Sequence, residues 1–151
     1  MNTPYPMLWF DNEAETAARF YTTLFPNSEI TDTAYYSEGI PGREAGSVMT
    51  VAFTLNGARF TALNGGPHDV FNDSISLVAE CADQAEIDRL WDALVTDGGH
   101  ESQCGWLVDR YGVSWQIIPE NIGELLAPPG AVEAMLQMTR LDIAALKAVA
   151  G

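Results

Sequence analysis

The chain has 151 residues, 21 acidic side chains against 7 basic ones, a formal net charge of −14 and 47% hydrophobic residues. That length and apolar content fit one ordinary domain with a real core and argue against intrinsic disorder. The charge argues against a nucleic-acid interface, which needs clustered Lys and Arg, and against an anionic membrane surface, while no apolar run approaches the ~20 residues that span a bilayer.

Taken in chain order, Tyr5 to Phe10 is the first strand-like run. Asn12 and Glu15, three apart as in a capping box, then open a helix with an apolar face of Ala14, Ala17, Ala18, Tyr21, Leu24 and Phe25, which Pro26-Asn27 stops. Asn27 to Gly46, with Glu38-Gly39-Ile40-Pro41-Gly42-Arg43-Glu44 inside it, reads as an exposed loop. Ser47 to Leu55 and Arg59 to Leu63 are two strands about Asn56-Gly57, a strong two-residue hairpin signal. The same order then returns. Ser74 to Cys81 is a strand, and Asp83 with Glu86 opens a helix carrying Ile87, Leu90, Trp91, Leu94 and Val95, ended by Gly98-Gly99. Gln103 to Val108 and Val113 to Ile118 flank the longer turn Asp109-Arg110-Tyr111-Gly112, where Asp109 and Arg110 read as a local ion pair. After Pro128-Pro129-Gly130, Ala131 to Ala150 reads as a helix with Val132, Met135, Leu136, Ile143, Leu146 and Val149 apolar. The expectation is a single domain over 1–151, with module one over about 4–66, module two over about 73–119 and a C-terminal helix over about 131–150.

The chemistry-bearing residues are few. His68 and His100 fall in turn-like contexts, and a solvated loop explains His68-Asp69 better than a metal pair. Cys81 and Cys104 make no disulfide framework, which fits a reducing cytoplasm, and the N-terminus lacks the basic start and apolar stretch of a secretory signal. An acidic neighbourhood raises a thiol's pKa, so Cys104 reads as a buried structural cysteine, and Cys81, just before a helix, reads as core. Asn64-Gly65-Gly66-Pro67 lacks the Gly-Lys-Ser/Thr ending of a phosphate loop and reads as a turn between the modules. The acidity itself keeps a protein soluble; attraction of a cationic ligand and tolerance of salt are its functional alternatives.

Several stretches carry a family resemblance: Leu8-Trp9-Phe10-Asp11 with Phe20-Tyr21, Phe53-Thr54-Leu55-Asn56-Gly57 running to Ala62-Leu63-Asn64-Gly65-Gly66-Pro67, Ser74-Ile75-Ser76-Leu77, Cys104-Gly105-Trp106-Leu107-Val108-Asp109, and Gly112-Val113-Ser114-Trp115-Gln116-Ile117-Ile118-Pro119. With them the chain resembles the vicinal-oxygen-chelate superfamily, the glyoxalase and bleomycin-resistance fold. Its words are closest to the PhnB-like branch, also called 3-demethylubiquinone-9 3-methyltransferase-like. The resemblance implies an α+β fold of paired βαβββ modules forming a curved, cup-shaped mixed sheet, plus the C-terminal helix. It also implies four metal-ligand positions in the members that carry a metal, which carry over to Pro4, Thr61, Ser74 and Gln116.

Pro4 has no side-chain donor, and Thr61, Ser74 and Gln116 are weak neutral ones, so no catalytic metal and no cofactor is expected. Strand alternation puts Ser74 with Ser76 and Val78, Gln116 with Ser114 and Ile118, Thr61 with Arg59 and Leu63, and Pro4 with Leu8 and Phe10, leaving Trp9, Phe60 and Trp115 on the opposite, core face. The expected ligand-binding set is therefore Leu8, Phe10, Arg59, Thr61, Ser74, Ser76, Ser114 and Gln116, lining a half-polar cup for a small organic molecule. No residue is singled out as catalytic. A methyl donor of the S-adenosylmethionine type is not expected, because Asp11-Asn12-Glu13 lacks the glycine turn that such donors use. The expected partners are a small organic ligand and a second copy in a homodimer, without nucleic acid or membrane. A metal-dependent glyoxalase- or dioxygenase-type enzyme and an antibiotic-sequestering protein remain the alternatives.

Overall fold

Alternating hydrophobic strands and two amphipathic helices give an α+β architecture built from two four-stranded mixed sheets, seen in a computed structural model that describes residues 2–149. The chain forms two compact units that part between Val70 and Phe71.

In the first unit, β1 (Met7–Phe10), α1 (Ala14–Leu24), β2 (Glu29–Tyr35), β3 (Val48–Leu55) and β4 (Ala58–Asn64) give a sheet of order β1-β4-β3-β2. β1 runs parallel to β4, while β2, β3 and β4 form antiparallel ladders. Asn56 and Gly57 make the expected tight hairpin, both at positive φ (46° and 81°), the backbone that a two-residue primed turn demands. The whole expected face of α1 is buried except Phe25, which is extended and already past the helix. Tyr21 packs toward Phe53, and Phe53 stacks on Phe60 at 5.4 Å, so this face of the sheet is the unit's core.

Two expectations fail here. β2 lies within the segment read as a loop. It is an edge strand with register shifts between Ile30 and Asp32 and between Ala34 and Tyr35, and bulges of this kind break the period of two that reveals a strand. Only the stretch after it is a loop, closed by bonds between Tyr36 and Ser47 and from Gly46 to Tyr36. Asn12 does not cap α1. The backbone N–H of Ala14 instead donates to Oδ1 of Asn64, 50 residues away, at 2.8 Å. The Asn64 side-chain amide donates to the Val48 carbonyl at 3.0 Å, so one buried side chain ties the helix start to β3, and the Asn64 backbone carbonyl accepts from the Tyr36 hydroxyl at 2.6 Å.

In the second unit, β5 (Leu77–Cys81), α2 (Gln84–Val95), β6 (His100–Glu101), β7 (Trp106–Val108) and β8 (Ser114–Pro119) repeat the order, giving a sheet β5-β8-β7-β6. Here the expected cap is present: Asp83 accepts from the Glu86 N–H at 2.9 Å, and the Glu86 carboxylate accepts from Ala82 N–H at 2.9 Å. Ile87, Leu90, Trp91 and Leu94 are buried, and the Trp91 indole donates to Glu101 at 2.7 Å. The two-residue β6 was not expected, since so short a strand leaves no periodic signal.

The single C-terminal helix is also corrected. Among the described residues it is two short helices, α4 (Ala131–Met135) and α5 (Ile143–Val149), after a turn of helix α3 (Ile122–Leu125). The expected end at Ala150 lies outside the described residues. The break between α4 and α5 is held from outside. Met138 and Thr139 carbonyls accept from Cys104 and Gly105 N–H groups, Leu141 is buried, and the Gln84 amide both donates to the Leu141 carbonyl and accepts from Ile143 N–H. Arg140 meets Asp88 and Asp92, and donation from Gln84 and then Arg140 holds the Asp88 carboxyl below its usual range. No helix of the described residues is long and apolar enough to cross a membrane.

Replacing Asn64 with Leu keeps the volume but strips Ala14 N–H and the Val48 carbonyl of their partners. It should destabilise the first unit by ~2–3 kcal/mol and speed hydrogen exchange at the start of α1. Unchanged exchange there would show that Asn64 does not hold the helix.

Candidate functional site

Side chains alternate across each sheet, so register decides which of them meet. In the second unit, β8 pairs Gln116 with Val78 on one side and Trp106 on the other, and Ser114 with Val108, which in turn faces His100. These residues share the face opposite α2. Trp115, Ile117, Ala79 and Leu107 take the buried helix-facing side, as expected for Trp115. Ser76 precedes β5 rather than lying in it, yet its hydroxyl accepts from Nε2 of Gln116 at 2.9 Å. The Ser114 hydroxyl donates to Asp73 Oδ1 at 2.6 Å. Three expected residues, Ser76, Ser114 and Gln116, are thus brought together on one face.

Their neighbours Trp106, Val108 and Asp73, with His100, Ser102 and Cys104 among others, line a cavity of about 400 Å³; none of the expected residues lines it. The lining combines an indole and a valine with the carboxylates of Asp73 and Glu101, an imidazole and a hydroxyl. Asp73 joins the cavity to the Ser114 hydroxyl. Sequence reasoning missed both Asp73 and His100. His100 is corrected from a turn to an edge strand, and its signal was present only in its spacing from Val108, which becomes readable once β6 is known to pair with β7.

The remaining expected residues separate. Ser74 lies in a turn before β5, exposed, with its N–H donating to Asn72 Oδ1 at 2.9 Å, so it does not continue the Ser76 row as a strand would require. In the first unit, β1 registers Met7 beside Thr61 and Trp9 beside Leu63. Thr61 therefore shares its face with Met7, Trp9, Arg59 and Leu63, and the expected grouping of Leu8 and Phe10 with it is wrong. Leu8 and Phe10, 4% and 3% exposed, point to the α1 side with Ala62 and Asn64; Trp9 takes the face assigned to them. The one-residue difference follows from period two: the count was carried from Pro4, which precedes the strand and does not obey its alternation. Trp9 is held there by donation to the Gly66 carbonyl at 2.9 Å, and a Cβ on Gly65 would sit 2.2 Å from the indole, so only glycine fits beneath it. Arg59 is exposed, its guanidinium 3.8 Å from the Tyr5 ring centre. Thr61 is buried, with its N–H donating to the Pro6 carbonyl. Asp109 is buried and accepts from Tyr111 and Val113 N–H and from the Trp115 indole, and Arg110 pairs with Asp97 at 2.8 Å.

Residues 2–118 match the family described as 3-demethylubiquinone-9 3-methyltransferase. The chain belongs to this family. A PhnB protein from Bacillus cereus is 34% identical, with a TM-score of 0.70 over 78% of this chain and 99% of that one. A protein from Pseudomonas aeruginosa, 20% identical, gives 0.59 over 79% and 98%. The genomically encoded fosfomycin resistance protein FosX from Listeria monocytogenes, 12% identical, gives 0.55 over 83% and 96%. The last two likenesses show the fold alone; the first, with the family match, places the chain in the PhnB-like branch of the vicinal-oxygen-chelate superfamily. No curated protein matches the sequence.

That superfamily includes metal-carrying members, so the implied ligand positions were matched against donor chemistry. The first unit supplies Pro4, which has no donor, and the Thr61 hydroxyl. The second supplies the Ser74 hydroxyl and the Gln116 amide, whose nitrogen is already given to Ser76. A divalent transition metal is held by imidazole, thiolate or carboxylate, and this PhnB-like chain offers none at those positions. Among the described residues no three His, Cys, Asp or Glu side chains come together as a metal would need. The set does not fit the group.

The two cysteines differ in kind. Burial above all, then the neighbouring Glu86 carboxylate, pushes the Cys81 thiol up to about 12 against a smaller opposing pull from Arg89, so it stays protonated and unreactive at neutral pH. Cys104, expected to be buried, is instead half-exposed and lines the cavity, because it sits in the turn before β7 rather than inside a strand. Alkylation of the folded protein at pH 8 should therefore modify Cys104 and spare Cys81, with both modified in denaturant. Labelling of Cys81 in the folded state would contradict the packing described for β5.

Proposed function

We propose that this PhnB-like protein binds a small organic molecule against the face of its second sheet opposite α2, without a catalytic metal. The observation that carries the reading is the pairing of Trp106 with Gln116 beside a cavity of about 400 Å³: an apolar plane for a ring or chain lies next to an amide that Ser76 already orients. Because the Ser76 hydroxyl accepts a hydrogen bond from Nε2, the orientation of the Gln116 amide is fixed and its carbonyl oxygen is left to accept from a ligand donor. Asp73 at the rim and the overall charge of −14 favour uncharged or cationic ligands over anions at this place.

Two features count against turnover of the kinds that the family's names imply. The implied metal positions lack metal donors, which removes the Lewis acid of glyoxalase- and dioxygenase-type chemistry. The β1–α1 connection, Asp11-Asn12-Glu13, has no glycine where a methyl donor would need close backbone approach, and the sheets are mixed rather than doubly wound. The reading is of a binding protein.

Screening the full chain by thermal shift against uncharged and cationic aromatic compounds should yield at least one saturable stabiliser. Gln116→Leu, which removes one hydrogen-bond partner at constant volume, should weaken its binding roughly tenfold, and Trp106→Ala by more. Wild-type affinity in both variants would displace the site from this face.

A further inference from the structure

The first unit carries a second cavity, of about 270 Å³, lined by none of the residues of the first. We propose that it is a binding site for a small oxyanion, a carboxylate or phosphate group, with Arg43 as the anchoring residue. Carboxylates outnumber basic groups three to one, 21 to 7, and among the described residues Arg19, Arg110 and Arg140 are ion-paired whereas Arg43, Arg59 and Arg89 are not; of these three, Arg43 is the one that lines this cavity. Arg43, half-buried, has no carboxylate within ion-pair distance and no protein acceptor for any of its guanidinium N–H groups among the described residues. Its one contact of this kind is with the Tyr36 ring, 5.2 Å from the centroid.

The surroundings hold the guanidinium in place without satisfying it. Tyr36 is fixed through its hydroxyl to the Asn64 carbonyl at 2.6 Å, and the loop that carries Arg43 is closed by the Tyr36–Ser47 backbone bond and by Arg43 N–H donating to Ile40. On its other side lies Gly66, at φ +100°, where a Cβ would meet Arg43 Nη2 at 2.7 Å; the absence of a side chain there makes the room. Asn12 and Thr16 line the same cavity. Glu15 does too, but its carboxylate is taken by Arg19 at 2.6 Å. A positioned guanidinium with free forked donors facing a cavity is what a planar or tetrahedral oxyanion binds, and at physiological salt its field acts over ~8 Å while the distant carboxylates are screened.

The test is a ¹H–¹⁵N titration of the full chain with inorganic phosphate and, separately, acetate, each against chloride at equal ionic strength. Saturable shifts of the Arg43 Nε–H and of amides in the loop from Tyr36 to Ser47 are expected with at least one of the two anions. Response to phosphate alone assigns a phosphate group, and response to acetate a carboxylate. Arg43→Gln should weaken the response roughly tenfold or more, with Arg43→Lys intermediate because it keeps charge but loses the fork. No saturable shift in the wild-type chain with either anion, or an undiminished one in Arg43→Gln, overturns the proposal. The wild-type arm decides even if a variant folds poorly.

Discussion

β8 lies between β5, which runs parallel to it, and β7, which runs antiparallel, and the two ladders together fix the side on which every side chain of the second unit stands. Because the side-chain period is two, the register that buries Trp115 and Ile117 beneath α2 necessarily turns Ser114 and Gln116 to the other side, beside Val108 and Trp106. A slip of one residue would expose two large apolar side chains and bury an amide, so the core enforces the composition of the opposite face. The hydrogen bonds from Gln116 to Ser76 and from Ser114 to Asp73 then fasten the connection before β5 onto that face.

The two units solve the same problem with different chemistry. Each places a helix after its first strand, but α2 is capped locally by Asp83 and Glu86, while α1 depends on Asn64 from the far end of β4. The same Asn64 receives Tyr36 through its carbonyl, and Tyr36 in turn supports Arg43. The helix start, the closed loop and the unpaired arginine are therefore parts of one connected structure. The second unit has instead a C-terminal segment threaded over α2, held by Gln84 and Arg140.

What the sequence disclosed follows from how local each signal is. The faces of α1 and α2, the Asn56-Gly57 hairpin and the Asp83 cap are all written within a few residues, and each was legible. The edge strands were not: β2 is interrupted by bulges and β6 is two residues long, so neither shows alternation. Ala131 onward looked like one helix because its apolar spacing is continuous in the sequence, whereas the break is imposed by Gln84, Cys104 and Gly105 from elsewhere in the chain. The alternation within β8 put Ser114 and Gln116 on the face opposite Trp115 and Ile117, where the register places them. Leu8 and Phe10 were misplaced by counting from a proline outside the strand, and Asp73 and His100 join the site only through pairings that no local pattern announces.

The proposal is that this PhnB-like chain, with hydroxyl and amide groups at the implied ligand positions, binds a small organic molecule without a catalytic metal. Metal content by mass spectrometry, on protein purified without chelators, tests it most directly. The account predicts less than about a tenth of a transition metal per chain, because the ligand positions supply no imidazole, thiolate or carboxylate. Near-stoichiometric metal that is lost on replacing His100 or Asp73 would contradict it and move the protein among the metal-dependent enzymes.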